Sequence, residues 1–212
     1  MRDKLFNKCI SSVHNANLNL SKLNEHVLKQ EGMSSQFQRH LLNNVCDFDG
    51  CKYLEVGSYL GSTICSASFK NNGDFYGVEN FSEFVTENDF TATHRKEHVR
   101  ENLYKNISAL NQPTVKILEK NFFTDKIELD KKINIFFYDG IHREQAHFLN
   151  LKIAKDFLDE YFIYIVDDWF CNVSFPKKNT FNAINSFNFE VLFYSELLDR
   201  TGTGLFLLKN YR

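Results

Sequence analysis

Three aspartates and a histidine are the residues best placed to do chemistry. Asp139-Gly140-x-His142 follows the apolar run Ile133–Tyr138, and Asp167-Asp168-Trp169 follows Phe162–Val166. If those runs are neighbouring parallel strands, about 4.8 Å apart, the three carboxylates meet at one sheet edge. Charges so placed repel unless a cation sits among them, and an all-oxygen set suits Mg²⁺, Mn²⁺ or Ca²⁺ rather than zinc. A divalent ion at Asp139, Asp167 and Asp168 would grip a hydroxyl, lower its pKa and fix its approach. His142, three residues past Asp139 at the start of a helical stretch, is in position to act as general base, and the Asp139 carboxylate is the alternative. The plainer readings are an Asp-Gly turn, loop-capping aspartates, a helix-start histidine, and a Trp169 that either covers the site or simply fills core.

The second constellation is Glu55-Val56-Gly57-Ser58-Tyr59-Leu60-Gly61-Ser62-Thr63, where a buried strand turns through two glycines into a helix over 62–69. Ligands of open α/β sheets bind beyond the carboxyl ends of the strands. Gly57 allows a sharp turn and close approach, and the helix start offers free N–H groups to a carboxylate or ribose oxygen. The spacing Gly-x-x-x-Gly is not the G-x-G-x-x-G that admits a pyrophosphate. Glu55 would repel two phosphates but can meet an ammonium group, so the pattern favours a ligand carrying an amino acid. Glu79, at the end of the next apolar run and about 20 residues beyond the loop, is spaced to accept from ribose hydroxyls.

These residues need a scaffold of alternating elements. Short apolar runs at 53–56, 75–78, 115–118, 133–138 and 162–166 predict strands covered on both faces. The stretch 142–159 carries a helical stripe of Ala146, Leu149, Ile153 and Phe157. Repetition of strand, helix and strand means a parallel sheet with right-handed crossovers. Runs at 189–194 and 204–208, only nine residues apart, predict an antiparallel pair. The expectation is a doubly wound, Rossmann-like α/β fold with a seven-stranded sheet over 50–212. Residues 1–49 read as a helical extension of two or three helices. One apolar face is expected from Leu18, Leu20, Leu23, Val27 and Leu28, another from Phe37, Leu41, Leu42 and Val45, with Ser34 or Ser35 as a cap.

Composition narrows the classes. A chain of 212 residues suits one domain with its own core, and neither repeats nor a Pro/Gly-rich linker suggest a second. A net charge of −2 gives no basic footprint for nucleic acid. Asn/Asp-Pro-Pro-aromatic, the tetrapeptide of many nucleic-acid-modifying enzymes, is absent too. Five scattered cysteines, Cys9, Cys46, Cys51, Cys65 and Cys171, without a C-x-x-C pair, read as reduced thiols. With no signal-like N-terminus and no apolar run of about 20 residues, the expectation is a cytoplasmic chain away from membranes, with N-terminal helices apolar enough to pack against a second copy in a homo-oligomer. The 22 phenylalanines, alongside abundant Asn, Lys and Ile, match AT-rich coding and need not mean a binding surface. Between the second and third strands, His94 and His98 share a helix face but lack a third metal ligand, and Arg95, Lys96 and Arg100 are candidates to meet an anionic substrate.

Over residues 30–209 the sequence resembles the class I S-adenosylmethionine-dependent methyltransferases, and among them the small macrocin-type sugar O-methyltransferases. The resemblance rests on Glu55-Val-Gly57-x-x-x-Gly61-Ser-Thr63, Asp139-Gly140-x-His142 and Asp167-Asp168-Trp169. It implies that Glu55, Gly57 and Ser58 line the methionine part of S-adenosyl-L-methionine, with Tyr59, Gly61, Ser62 and Thr63 completing the loop and helix start around it. Glu79 would hold the ribose, Asn121 and Phe122 would flank the adenine, and Asp139 would stand between cofactor and acceptor. The same resemblance makes Asp139, Asp167 and Asp168 ligands of Mg²⁺ and lays Gly32-Met33-Ser34-Ser35 over the cofactor. It implies O-methylation of a sugar or other polyhydroxylated small molecule. The competing readings are a metal-independent N-methyltransferase, a non-catalytic cofactor-binding module, and, more distantly, a nicotinamide oxidoreductase.

Overall fold

The computed structural model of the chain describes residues 1–82, 96–111, 114–141, 143, 145–172 and 175–211. Its strands are β1 (Cys51–Val56), β2 (Gly73–Val78), β3 (Val115–Leu118), β4 (Ile133–Tyr138), β5 (Leu158–Val166), β6 (Phe189–Leu197) and β7 (Thr203–Asn210). They form one sheet in the order β3-β2-β1-β4-β5-β7-β6. The first five are parallel, and β7 runs antiparallel to both β5 and β6. The helices are α1 (Arg2–Asn17), α2 (Glu25–Leu28), α3 (Gln36–Val45), α4 (Ser62–Ser68), α5 (Lys96–Ala109), α6 (Ala146–Ala154) and α7 (Pro176–Ser186).

The near-continuous apolar character of the strands has its reason in two cores. Tyr53, Phe75, Ile135, Phe137, Ile163 and Leu205 point to one face, where α1, α3 and α4 cover them. Leu54, Tyr76, Phe136, Tyr138, Tyr164 and Phe206 point to the other, under α6 and α7. Successive residues of a strand face opposite ways, so both must be apolar when both faces are covered. The N-terminal helices share the first of these cores, through Leu5, Cys9, Leu41, Leu42 and Val45.

Some boundaries differ from the sequence expectation. β5 begins at Leu158, which pairs with Ile133 across a register irregularity, and α6 accordingly stops at Ala154. β6 and β7 are longer than their apolar runs, leaving only residues 198–202 as the hairpin connection. The face expected from Leu18 and Leu20 does not form, and both side chains are exposed. The helix lies earlier. α1 buries Leu5 and then the small residues Cys9, Ser12 and Ala16 at three- and four-residue spacing, and the chain turns out of it at Asn19, whose φ is 55°. Ser35, not Ser34, caps α3 by accepting the Gln38 N–H at 3.0 Å.

The segment joining α2 to α3 is held by a buried arginine. Arg39 Nη1 donates to the carbonyls of Val27, Leu28 and Gln30 at 3.1, 2.9 and 2.8 Å, and its Nε donates to Ser34 Oγ at 2.9 Å. These carbonyls lie at and just past the end of a one-turn helix, where acceptors run short of backbone donors, and the guanidinium fork matches several at once where an ammonium cannot. Arg39→Lys is therefore expected to cost about 1–2 kcal/mol and to open residues 28–34 to proteases. Urea denaturation with limited proteolysis checks this; an unchanged midpoint and digestion pattern would show that the carbonyl fan contributes nothing.

Candidate functional site

The carboxyl edge of the sheet is built as a staircase. The first residue after each of β1, β2, β4 and β5 donates its N–H to the neighbouring strand's last carbonyl. Glu79 donates to Leu118, Gly57 to Val78, Asp139 to Val56 and Asp167 to Tyr138, at 3.0–3.1 Å. Four residues distant in sequence thus stand side by side. Between β1 and β4 the strand order reverses, the place where such sheets open a crevice.

That crevice is a cavity of about 600 Å³. Gly57, Ser58, Tyr59, Ser62, Thr63, Glu79, Asn121, Phe122 and Asp139 all stand on its wall, together with Met33 and Ser34 from the segment before α3. Gly57 has φ +91°, and a Cβ there would lie 2.0 Å from the Asp139 carbonyl oxygen, so only glycine lets β1 and β4 meet this closely. Gly61 does not reach the wall; with φ +87° it starts α4 and packs on Leu103. Glu79 accepts the N–H of Tyr59 at 2.9 Å on one oxygen and that of Phe81 at 2.7 Å on the other. Each oxygen keeps a second lone pair, so the group that shapes the loop can also receive ligand hydroxyls. Ser34 Oγ lies 2.8 Å from Ser62 Oγ, which seats the segment 32–35 on the start of α4.

Glu55 sits differently from its sequence-based placement. It is 0% exposed and lies one layer behind the wall, its Oε2 accepting from Tyr53 Oη at 2.7 Å and its Oε1 from Thr63 Oγ1 at 3.2 Å. On β1 it shares the face of Tyr53, which α3 and α4 cover, and so it reaches the cavity only through the hydroxyls in front of it. Ser58 Oγ is buried and close enough to favour the charged carboxylate, yet meets hydrogen-bond geometry with nothing among the described residues. Burial pushes the Glu55 carboxyl up to about 7, against the hydrogen bonds from Tyr53 and Thr63 that favour its charged form, and the nearby Glu79 raises it further.

A folded pKa above the ordinary 4.5 means that the empty protein binds more protons than the unfolded chain in between. Its stability is expected to fall as pH rises from about 4.5 to 7. A cationic ligand near Glu55 favours the ionised form, so affinity for such a ligand should rise over the same interval. Glu55→Gln should lessen both trends and leave the part of the stability slope that the raised Asp139 and Asp167 carboxyls contribute. Thermal melts and calorimetric titrations across this range test it, and parallel slopes in wild type and variant would exclude Glu55 as the origin.

Beside the cavity, Asp139, Asp167 and Asp168 each offer a carboxylate oxygen, all within 4.8 Å of one another. Burial, then the charges of Asp167 and Asp168, drive the Asp139 carboxyl well above the usual range, and burial with Asp168 lifts Asp167 to about 6. Asp168 takes a left-handed φ of 52° where the chain leaves β5. The three carboxylates form a hard, over-negative donor set, the chemistry that fits a divalent cation. Only Asp139 also stands on the cavity wall.

Other expected residues fall elsewhere. His142, His94 and Arg95 lie outside the described residues, as does the Lys96 side chain. His98 Nε2 pairs with Asn102 at 3.1 Å, and Arg100 forms a surface ion pair with Glu119 at 2.7 Å, away from the cavity. Trp169 is core: it packs on Phe181, Tyr194 and Phe206. The five cysteines are free thiols. Among the described residues, no helix is long and apolar enough to cross a membrane. Phe123, Ile141 and Arg143 line the cavity without having drawn notice in the sequence; the Phe122-Phe123 doublet after β3 was the available signal.

A seven-stranded sheet in this order, with β7 reversed and the crevice at β1/β4, is the fold of the class I methyltransferases. Solved structures bear this out. The O-methyltransferase TomG from Streptomyces achromogenes, involved in tomaymycin synthesis and crystallised with S-adenosylmethionine, superposes with a TM-score of 0.64 at 11% identity over 97% of this chain and 98% of its own. An O-methyltransferase from Bacillus cereus in complex with S-adenosylhomocysteine gives 0.61 at 12% identity over 98% and 100%. TrmN from Thermus thermophilus gives 0.61 at 9% identity over 88% of this chain, which spans about half (52%) of TrmN. No family model and no curated protein matches the sequence. Identities this low carry the fold alone.

Proposed function

We propose that the chain binds S-adenosylmethionine in the β1/β4 crevice and methylates an oxygen of a small polyhydroxylated acceptor, with a divalent cation held by Asp139, Asp167 and Asp168. The observation that carries this reading is the continuity of the cavity wall from Glu79, past Gly57 and Ser58, to Asp139. One wall thus joins a carboxylate that can take ribose hydroxyls, a close backbone approach beside the buried Ser58 hydroxyl in front of Glu55, and the edge of the acidic cluster.

In this reading Glu79 receives the ribose hydroxyls while its bond to Tyr59 N–H keeps the loop in place. Ser58, Thr63 and, behind them, Glu55 face the amino-acid end, and Asn121 and Phe122 the base. S-adenosylmethionine, when bound, supplies an electrophilic methyl group for in-line displacement, so the protein's main task is alignment. A cation, when bound, lowers the pKa of an acceptor hydroxyl. Asp139, the cluster member on the cavity wall, and His142 are the groups assigned to the acceptor's proton. Net charge −2 supports a small acceptor over RNA.

The test is methyl transfer from labelled S-adenosylmethionine to sugars, nucleotide-sugars and catechols, with Mg²⁺ or with EDTA. Turnover that EDTA abolishes and Mg²⁺ restores supports the full reading. Turnover indifferent to EDTA would remove the cation and keep the cofactor. Calorimetry showing no S-adenosylmethionine binding would remove the function altogether.

A further inference from the structure

The acidic cluster is gripped from outside the sheet. Gln38 on α3 is 1% exposed and donates from Nε2 to Asp167 Oδ1 at 2.8 Å. Its place is set by the α3 cap: Ser35 Oγ accepts the Gln38 backbone N–H at 3.0 Å and donates to Asp199 Oδ2 at 2.9 Å. Asp199 Oδ1 accepts in turn from Thr203 Oγ1 at 3.2 Å, where β7 begins. A run of hydrogen bonds therefore ties the end of β5 to the N-terminal helices and to the β6–β7 hairpin.

The chemical type of the donor matters. A buried amide bonded to one carboxylate oxygen limits the group's rotation and leaves the other oxygen free of that bond. Because the amide is neutral, it orients Asp167 without cancelling the negative charge that a cation needs. The adjacent Arg39, which would cancel it, is committed to the carbonyls of residues 27–30 instead. Asn43 on the same helix shows how a buried amide is satisfied for packing alone, by the carbonyls of Ser66 and Phe69. Gln38 is aimed at a carboxylate of the cluster.

We propose that Gln38 is a positioning residue for the cation site, orienting Asp167 so that divalent-cation affinity depends on a helix outside the sheet. The proposal rests on the reading of Asp139, Asp167 and Asp168 as cation ligands. Partners that orient a metal ligand typically change affinity 10–100-fold when removed.

The experiment is Mn²⁺ titration of the full chain, followed by the electron paramagnetic resonance signal of the free ion. S-adenosylmethionine affinity and thermal midpoint serve as controls for the fold. Gln38→Met keeps the length and removes the donor. It should weaken Mn²⁺ binding by about tenfold or more while both controls hold. Gln38→Asn, one methylene too short to reach, carries the same expectation and decides the matter if Gln38→Met does not fold. Wild-type Mn²⁺ affinity in the variant overturns the proposal but leaves the cation site standing. Parallel loss of ion binding, cofactor binding and midpoint in both variants makes Gln38 merely structural and also overturns it. A wild-type chain that binds no Mn²⁺ overturns the cation reading itself, and the proposal with it.

Discussion

Gly57→Ala is expected to abolish measurable S-adenosylmethionine binding and to destabilise the chain by about 3 kcal/mol. Two effects add. The backbone at φ +91° disfavours any L side chain, and the new methyl would sit 2.0 Å from the Asp139 carbonyl oxygen and 2.7 Å from its carbon. No rotamer change relieves a collision with backbone, so β4 must move away from β1. That motion displaces Asp139 and the loop carrying Ser58 together, which is why binding should suffer more than stability alone implies. Gly50 provides the control. Its φ is +85° but nothing lies within 4 Å of an added Cβ, so Gly50→Ala isolates the backbone term, about 1 kcal/mol. Urea denaturation and calorimetry on both variants make the comparison. If Gly57→Ala bound the cofactor like wild type, the crevice would not be the ligand site.

How much of this was legible beforehand follows from what each pattern encodes. The parallel strands and their shared edge were readable because β1, β2, β4 and β5 are apolar on both faces and each ends abruptly in Gly57, Glu79, Asp139 or Asp167, whereas their lateral order was not. A run that stops at a polar residue marks the carboxyl edge, and parallel strands align such stops. The N-terminal helix was misplaced because its buried face is Leu5, Cys9, Ser12 and Ala16. Small side chains leave a faint apolar period, whereas the exposed Leu18 and Leu20 are conspicuous in sequence and idle in the fold. Spacing sets Glu55 beside the loop but says nothing of depth; its position behind Thr63 depends on which face of β1 α4 covers. Gln38 and Arg39 were invisible because a polar residue on a short helix looks like solvent-facing surface. Only the packing of α3 against the sheet turns that stretch inward.

The acidic cluster leads to an expectation in which stability and activity move oppositely. Without divalent ions, Asp167→Asn should raise the thermal midpoint, because three carboxylate oxygens within 4.8 Å oppose one another. Burial and Asp168 hold the Asp167 carboxyl at about 6, above the ordinary 3.8, so its ionisation at pH 8 costs the folded state. The asparagine keeps an oxygen for the Gln38 amide and removes the charge, a gain on the order of 1 kcal/mol. Wild type should recover the difference when Mg²⁺ or Mn²⁺ is added, by about 2.7 kcal/mol at a hundred times the dissociation constant. The variant should show almost no such response, and its methyl transfer should fall about a hundredfold or more, since the cation's effect on the hydroxyl amounts to several kcal/mol. Cofactor affinity should hardly change, because Asp167 does not reach the cavity wall. A merely structural trio of aspartates behaves otherwise: removing one would lower the midpoint, and divalent ions would leave wild type as they found it. Differential scanning fluorimetry of both proteins at pH 8, with and without Mg²⁺, separates the two cases. The sign of the change without ions decides it, since a site built to bind a cation is under strain when it is empty.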